Sequence, residues 1–245
     1  MYGALPPGYA RFEPRRGTTV VCLAQLVDTI REVLEEGTLY AYGVRHPRAR
    51  VLSGRGAVYA VPLPDNVTSA VIRHSQHGGV LARLTGDRFL PPTRAPHELA
   101  ISLRLRSAGV LTPEILAYAT YAAGPVWRRA DVMTREIPRG RDLAALCLGD
   151  VAATERESAF RATDRLLARL ASAGAHHADL NLKNVLIASD GGTTEAWVLD
   201  VDRVRMRRPG DARVRAANLS RLRRSAAKWR RDYGACVELA DIGAA

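Results

Sequence analysis

The stretch His177-Ala178-Asp179-Leu180-Asn181-Leu182-Lys183-Asn184-Val185-Leu186-Ile187, followed by Trp197-Val198-Leu199-Asp200, decides how this chain is read. It sets Asn184 five residues after Asp179, and Asp200 sixteen residues after Asn184, with apolar runs between. Residues 185–187 and 196–199 have the composition of short strands, and Asp190-Gly191-Gly192 joins them as a hairpin with an enlarged tip. Upstream, Phe160, Thr163, Leu167 and Leu170 share one face of a helix that ends near Gly174, immediately before the loop. Helix, loop and hairpin together bring three oxygen-bearing side chains to the ends of short elements.

Such a set suits phosphoryl transfer. That chemistry asks a protein for a hydroxyl aimed by a carboxylate and a cation held on the phosphate oxygens, and for little covalent help. Asp179 is the expected base. Asn184 and Asp200 are the expected metal ligands, offering oxygen to a hard cation. ATP and Mg²⁺ are therefore the expected cofactors. Taken singly, Asp179 could cap a turn and Asp200 could be an ordinary strand-end carboxylate; the joint spacing argues for the functional reading. His176-His177 has no third ligand at suitable spacing, so His177 is expected to hold the loop by packing and hydrogen bonding.

The remaining parts are sought upstream. Residues 49–52, 58–61, 69–73, 115–121 and 130–135 read as strands, and 93–106 as a helix closed by Gly109. This order fits a small nucleotide-binding lobe over residues 51–136. Gly54 and Gly56 would let backbone N–H groups approach phosphates, a plain hairpin turn being the alternative. Arg73, in Ala70-Val71-Ile72-Arg73, would clamp phosphates with its forked guanidinium, and Glu98 in the following helix would pair with it. Surface charges are the alternative for both. After Ile137-Pro138-Arg139-Gly140 the pattern turns helical, and residues 137–245 form the expected catalytic lobe. Residues 1–50 stand apart as an extension with no assigned role: 1–18 irregular, 20–36 helical, 38–44 a strand. The expected class is α+β in two lobes, a small antiparallel-sheet lobe and a reduced, mainly helical one.

At 245 residues the chain is long enough to bury a real core. Its net charge of +11 calls for an anionic partner. Cys22, Cys147 and Cys236 form no CxxC pair, which argues against a disulfide framework or zinc site and fits a reducing cytoplasm. No apolar run approaches the roughly 20 residues that cross a bilayer, and residues 1–17 lack the apolar core of a secretory signal.

With these residues assembled, the chain resembles the lipopolysaccharide kinase family of the protein-kinase-like superfamily, and within it the 3-deoxy-D-manno-octulosonic acid (Kdo) kinases. The likeness runs over residues 51–231. It is carried by Val71-Ile72-Arg73-His74 with Gly78-Gly79, Asp87-Arg88-Phe89-Leu90, Thr93-Arg94-Ala95, Arg129-Ala130-Asp131-Val132 and His177-Ala178-Asp179-Leu180-Asn181. Leu199-Asp200-Val201-Asp202-Arg203 and the segment from Ala217 to Ser225 add to it. Val201 stands where the family usually has Phe, and Ser75-Gln76-His77 replaces a more aromatic and basic stretch. The resemblance implies a protein-kinase-like two-lobe fold and ATP-dependent phosphorylation of a Kdo hydroxyl, at the 4-position, on a lipid A precursor. It also implies a peripheral place at the cytoplasmic face of the inner membrane. A heptose kinase or another small-molecule kinase on the same scaffold is the nearest alternative.

Two features of the residues agree with a glycolipid acceptor. Asn181 stands where Ser/Thr protein kinases carry Lys, and no Arg precedes Asp179; no Ala-Pro-Glu element follows Asp200 either. Instead, residues 203–231 hold twelve Arg and Lys against the single acid Asp211. Leu219, Leu222, Ala226 and Trp229 fall on one face of this basic helix, which would meet an anionic membrane surface or pack onto the catalytic lobe. A nucleic-acid-binding module is a third reading of the tail, but three Phe and three Trp leave few stacking platforms. No nucleic acid is expected as a partner, and no protein partner is inferable.

Overall fold

The computed structural model describes residues 5–35, 37–52, 56–75 and 87–237. The chain forms two compact units, Met1–Ala100 with Glu114–Glu136, and Ile101–Pro113 with Ile137–Ala245.

In the first unit, β1 (Tyr9–Arg15), β2 (Thr18–Leu23), β3 (Arg50–Leu52), β4 (Val58–Pro62), β5 (Ser69–His74), β6 (Ile115–Ala122) and β7 (Arg128–Arg135) form one sheet. The order is β1-β2-β6-β7-β5-β4-β3, and every pairing is antiparallel. Helices α1 (Val27–Glu35) and α2 (Leu39–Arg45) follow β2. They cover one sheet face with Ile30, Val33, Leu34 and Leu39 against Val20, Ile72, Ala119 and Met133. Helix α3 (Ala95–Ser107) lies between β5 and β6 in chain order.

The first fifty residues differ from expectation. Tyr9–Arg15 is a strand, not irregular. The helix expected over 20–36 begins only at Val27, because Thr18-Thr19-Val20-Val21 is a β-branched run that favours the pleated sheet. The strand expected over 38–44 is α2, started by Thr38, whose hydroxyl accepts the Ala41 N–H at 3.0 Å as an N-cap. No break falls at residue 50, since β1 and β2 share one sheet with β3–β7. β1 forms one edge of that sheet, and its register shifts between Phe12 and Arg15, around Pro14.

The second unit contains β8 (Arg141–Asp142), α4 (Leu143–Leu148), α5 (Ala153–Ser172) and β9 (Ala175–His177). These are followed by β10 (Val185–Asp190), β11 (Thr193–Val198), β12 (Val204–Met206) and α6 (Ala212–Tyr233). Two small sheets, β11-β10-β8 and β12-β9, flank a core to which α5 gives Phe160, Leu166, Leu167 and Leu170 and α6 gives Leu222 and Ala226. Burying such side chains contributes about 1.5–3 kcal/mol each. The hairpin tip is tight rather than enlarged: Asp190 pairs with Thr193, leaving Gly191 and Gly192 at φ 53° and 86°, the positive values a two-residue turn demands. Gly174 ends the approach to β9 at φ 69°, where a Cβ would lie 2.4 Å from the Arg207 carbonyl oxygen.

Candidate active site

In the first unit, β5 presents Arg73 to α3, where it forms an ion pair with Glu98. Glu98 is 4% exposed, so its charge is sustained by that guanidinium rather than by water. The pairing expected from sequence is present. Gly56 lies in a bend shortly before β4, and Gly54 and Gly78-Gly79 lie outside the described residues.

His74, the next residue on β5, faces the other side of the sheet. Its Nδ1 lies 2.5 Å from Asp131 on β7 and its Nε2 lies 3.0 Å from Asp87. Asp87 also pairs with Arg129 at 2.7 Å, and Asp131 accepts the Tyr40 N–H at 3.0 Å. Burial opposes a charge on His74, but hydrogen bonds and attraction from Asp131 and then Asp87 outweigh it, raising the imidazole above its ordinary value. The groups facing it are Asp87, Asp131, Arg129 and Tyr40. A raised folded-state value means that the stabilisation is complete below the unfolded His value of about 6.5 and fades as pH climbs through the folded one. Thermal melts of the wild type are therefore expected to fall between about pH 6 and pH 9. His74→Asn should flatten that slope; equal slopes in both proteins would contradict the ion triad.

The second unit builds the Asp-Asn-Asp set through a closed ring of hydrogen bonds. The Asp179 N–H donates to His177 Nδ1 at 3.2 Å, and Asn184 Nδ2 donates to the Asp179 carbonyl at 2.9 Å. The Leu199 N–H donates to the Asn184 carbonyl at 2.9 Å, and His177 Nε2 donates to the Leu199 carbonyl at 3.0 Å. The network assigns His177 the Nε2–H tautomer. Burial lowers its proton affinity, against the Leu199 carbonyl and the attraction of Asp200, Asp179 and Asp202. His177 is thus a neutral bracket, as expected. His176 is likewise pushed down, by burial and by Arg207, Arg221 and Arg205.

This ring fixes the backbone without using the Asp179 or Asp200 carboxylate or Asn184 Oδ1. The Asp179 and Asp200 carboxylates make no hydrogen bond to the described residues. Asn184 spends its amide N–H on Asp179, so its Oδ1 remains an acceptor. Asp200 has φ 52° and ψ 48°, a left-handed conformation at a non-glycine residue. That turns the chain sharply at the end of β11 and is the kind of local cost found at functional sites. Among the described residues no group of three or more His, Cys, Asp or Glu is arranged to hold a metal. The expected ligand pair is one amide and one carboxylate.

The chain matches the Lipopolysaccharide kinase (Kdo/WaaP) family over residues 49–238. The chain belongs to this family. It is 31% identical over 177 residues to a 3-deoxy-D-manno-octulosonic acid kinase of Vibrio parahaemolyticus, covering 71% of this chain and 70% of the relative. It is 32% identical over 210 residues to one of Stenotrophomonas maltophilia strain K279a, covering 82% and 79%. The solved structure of WaaP in complex with acyl carrier protein aligns at a TM-score of 0.45 with 18% identity, covering 78% of this chain and 80% of that one. As a member of a kinase family, the protein is a phosphotransferase that uses ATP. Its fold class is α+β, as expected from the sequence, with an antiparallel sheet in the first unit.

Two residues of this kinase carry the loop without having been singled out from sequence. Asn218 on α6 is fully buried; its Oδ1 accepts the His177 N–H at 3.0 Å and its Nδ2 donates to the Ala175 carbonyl at 2.9 Å. One helical turn pair further on, Ser225 Oγ accepts the Leu182 N–H at 3.2 Å. Both lie in the 217–225 segment through which the family resemblance was drawn, and only tertiary contact reveals their use. The apolar face of α6 is occupied by the same packing: Leu222 and Ala226 are buried, Leu219 and Trp229 rest on the core, and Lys183 Nζ lies 5.7 Å from the Trp229 ring centre. Its cationic face remains exposed, with Arg213, Arg224, Lys228, Arg230 and Arg231.

Proposed function

We propose that this kinase transfers the γ-phosphate of ATP to a Kdo hydroxyl, the 4-position, of a Kdo-bearing lipid A precursor. The observation that carries the reading is the hydrogen-bonded ring that fixes Asp179 and Asn184 beside Leu199-Asp200 in a chain about one-third identical to Kdo kinases. Asp179 accepts the proton of the attacking hydroxyl. In the first unit, Arg73, held by Glu98, offers its fork to phosphate oxygens. The donor set fits Mg²⁺, since the free Asn184 Oδ1 and the Asp200 carboxylate are hard oxygens. Bound there, Mg²⁺ would neutralise charge on the phosphates.

No helix among the described residues is long and apolar enough to cross a membrane. With the apolar side of α6 used by the core, we infer peripheral attachment at the cytoplasmic face of the inner membrane through the cationic side of residues 203–231. Each such charge contributes on the order of 1 kcal/mol near an anionic leaflet. The test offers Mg-ATP with a panel of acceptors (Kdo-lipid A precursor, heptosylated core, free sugars) and locates added phosphate by mass spectrometry. A single phosphate on Kdo is the expected product. Phosphate on heptose alone would replace this reading by that of a heptose kinase. Presenting the acceptor in anionic rather than neutral vesicles should speed turnover, an advantage lost in high salt.

A further inference from the structure

The sheet face opposite Arg73 carries a second charged site. A cavity of about 540 Å³ opens there, within the roughly 300–1,000 Å³ typical of small-molecule sites. Its floor follows the sheet register: Thr18 pairs with Tyr121, and Tyr121 with Arg129. Arg15 and Arg16, at the β1–β2 turn, supply the remaining cations of the lining.

The charges in this lining do not cancel. Asp131 is spent on His74 and the Tyr40 N–H, and Asp87 on His74 and Arg129. Arg15 donates one Nη2 to the Gly37 carbonyl at 2.6 Å and meets no carboxylate among the described residues. Arg16 has neither a hydrogen bond nor an ion pair among them. Two guanidinium groups with no carboxylate partner among the described residues thus stand at a cavity whose own acids are already engaged.

We propose that this cavity binds a phosphate or carboxylate oxyanion through Arg15, Arg16 and Arg129. Forked guanidinium donors match such anions bidentately. Alternation along β5 separates the site from the Arg73–Glu98 pair, so it is not the phosphate grip proposed for ATP. Arg15, Arg16, Thr18 and Tyr40 precede residue 49, where the family match begins. The proposal does not depend on the identity of the acceptor sugar.

The test uses the full chain with ring-labelled tyrosine, followed by NMR while inorganic phosphate, then soluble glucosamine 1-phosphate, is added. Of the eight tyrosines, Tyr40 and Tyr121 should shift saturably. The tighter of the two probes identifies whether a free anion or a sugar headgroup is the natural source. Arg15→Gln/Arg16→Gln, on exposed positions, should weaken the preferred probe by roughly tenfold or more while ATP affinity stays unchanged. Shifts confined to other tyrosines would overturn the site, as would undiminished binding by the double variant. Binding seen only with phosphatidic acid vesicles and with neither soluble probe would overturn it too, and would assign the adhesion to α6.

Discussion

Asp179→Asn should lower turnover by roughly 10²–10⁴-fold, the range expected for loss of a general base, with ATP affinity and melting temperature unchanged. The structure explains why this substitution separates chemistry from folding. The loop is fixed by the Asp179 backbone, whose N–H meets His177 and whose carbonyl receives Asn181 and Asn184, while the carboxylate contributes to none of these bonds. An amide of the same shape keeps every one of them and removes only the proton acceptor. Steady-state kinetics on the Kdo acceptor with a parallel ATP-binding titration would check it. Near-normal turnover would remove Asp179 from the role of base.

Asn218→Ala should be the most destabilising single change near the site, at about 2–5 kcal/mol. It would leave the His177 N–H and the Ala175 carbonyl without partners in a fully buried place, at about 1–3 kcal/mol each. Against a total stability of roughly 5–15 kcal/mol, that is a large share. Chemical denaturation should show a lower midpoint with little change in slope, because the surface exposed on unfolding stays the same. A loss below about 0.5 kcal/mol, the usual scale of surface substitutions, would mean that α6 does not brace β9 in solution. The two variants form a pair: one should lose the reaction and keep the fold, the other should lose stability through a residue with no chemical part.

Much of the fold was legible where one periodicity dominated. β5 alternates, with Ala70 and Ile72 buried, α5 shows its Phe160-Thr163-Leu167-Leu170 face, and the hairpin β10–β11 is punctuated by glycine. The first fifty residues were harder because two periods coincide there. Val20, Leu23, Ala24 and Val27 repeat at helical spacing while Thr18–Val21 prefer a strand, and Tyr40, Tyr42 and Val44 alternate like a strand inside α2. The capping hydroxyl of Thr38 was the available signal for that helix.

The candidate site divides in the same way. Asp179, Asn184, Asp200, Arg73 and Glu98 could be named because their spacing is local or follows one strand and the next helix. His74 with Asp131 joins residues 57 apart, and Asn218 with His177 joins residues 41 apart. Such partners are set by sheet register and helix docking, which a linear pattern does not contain. The hydrophobic pattern of α6 was visible, but whether its apolar stripe met lipid or protein depended on the core it covers.

The broken register of β1 bears on how molecules of this kinase meet one another. An unprotected outer strand offers a row of vacant amide and carbonyl groups that a neighbouring chain can zip onto. Here Pro14 withholds a donor, the register slips beside it, and Arg11, Glu13 and Arg15 put charge along the rim. Concentrated solutions should thus be guarded against strand-to-strand polymerisation along this border.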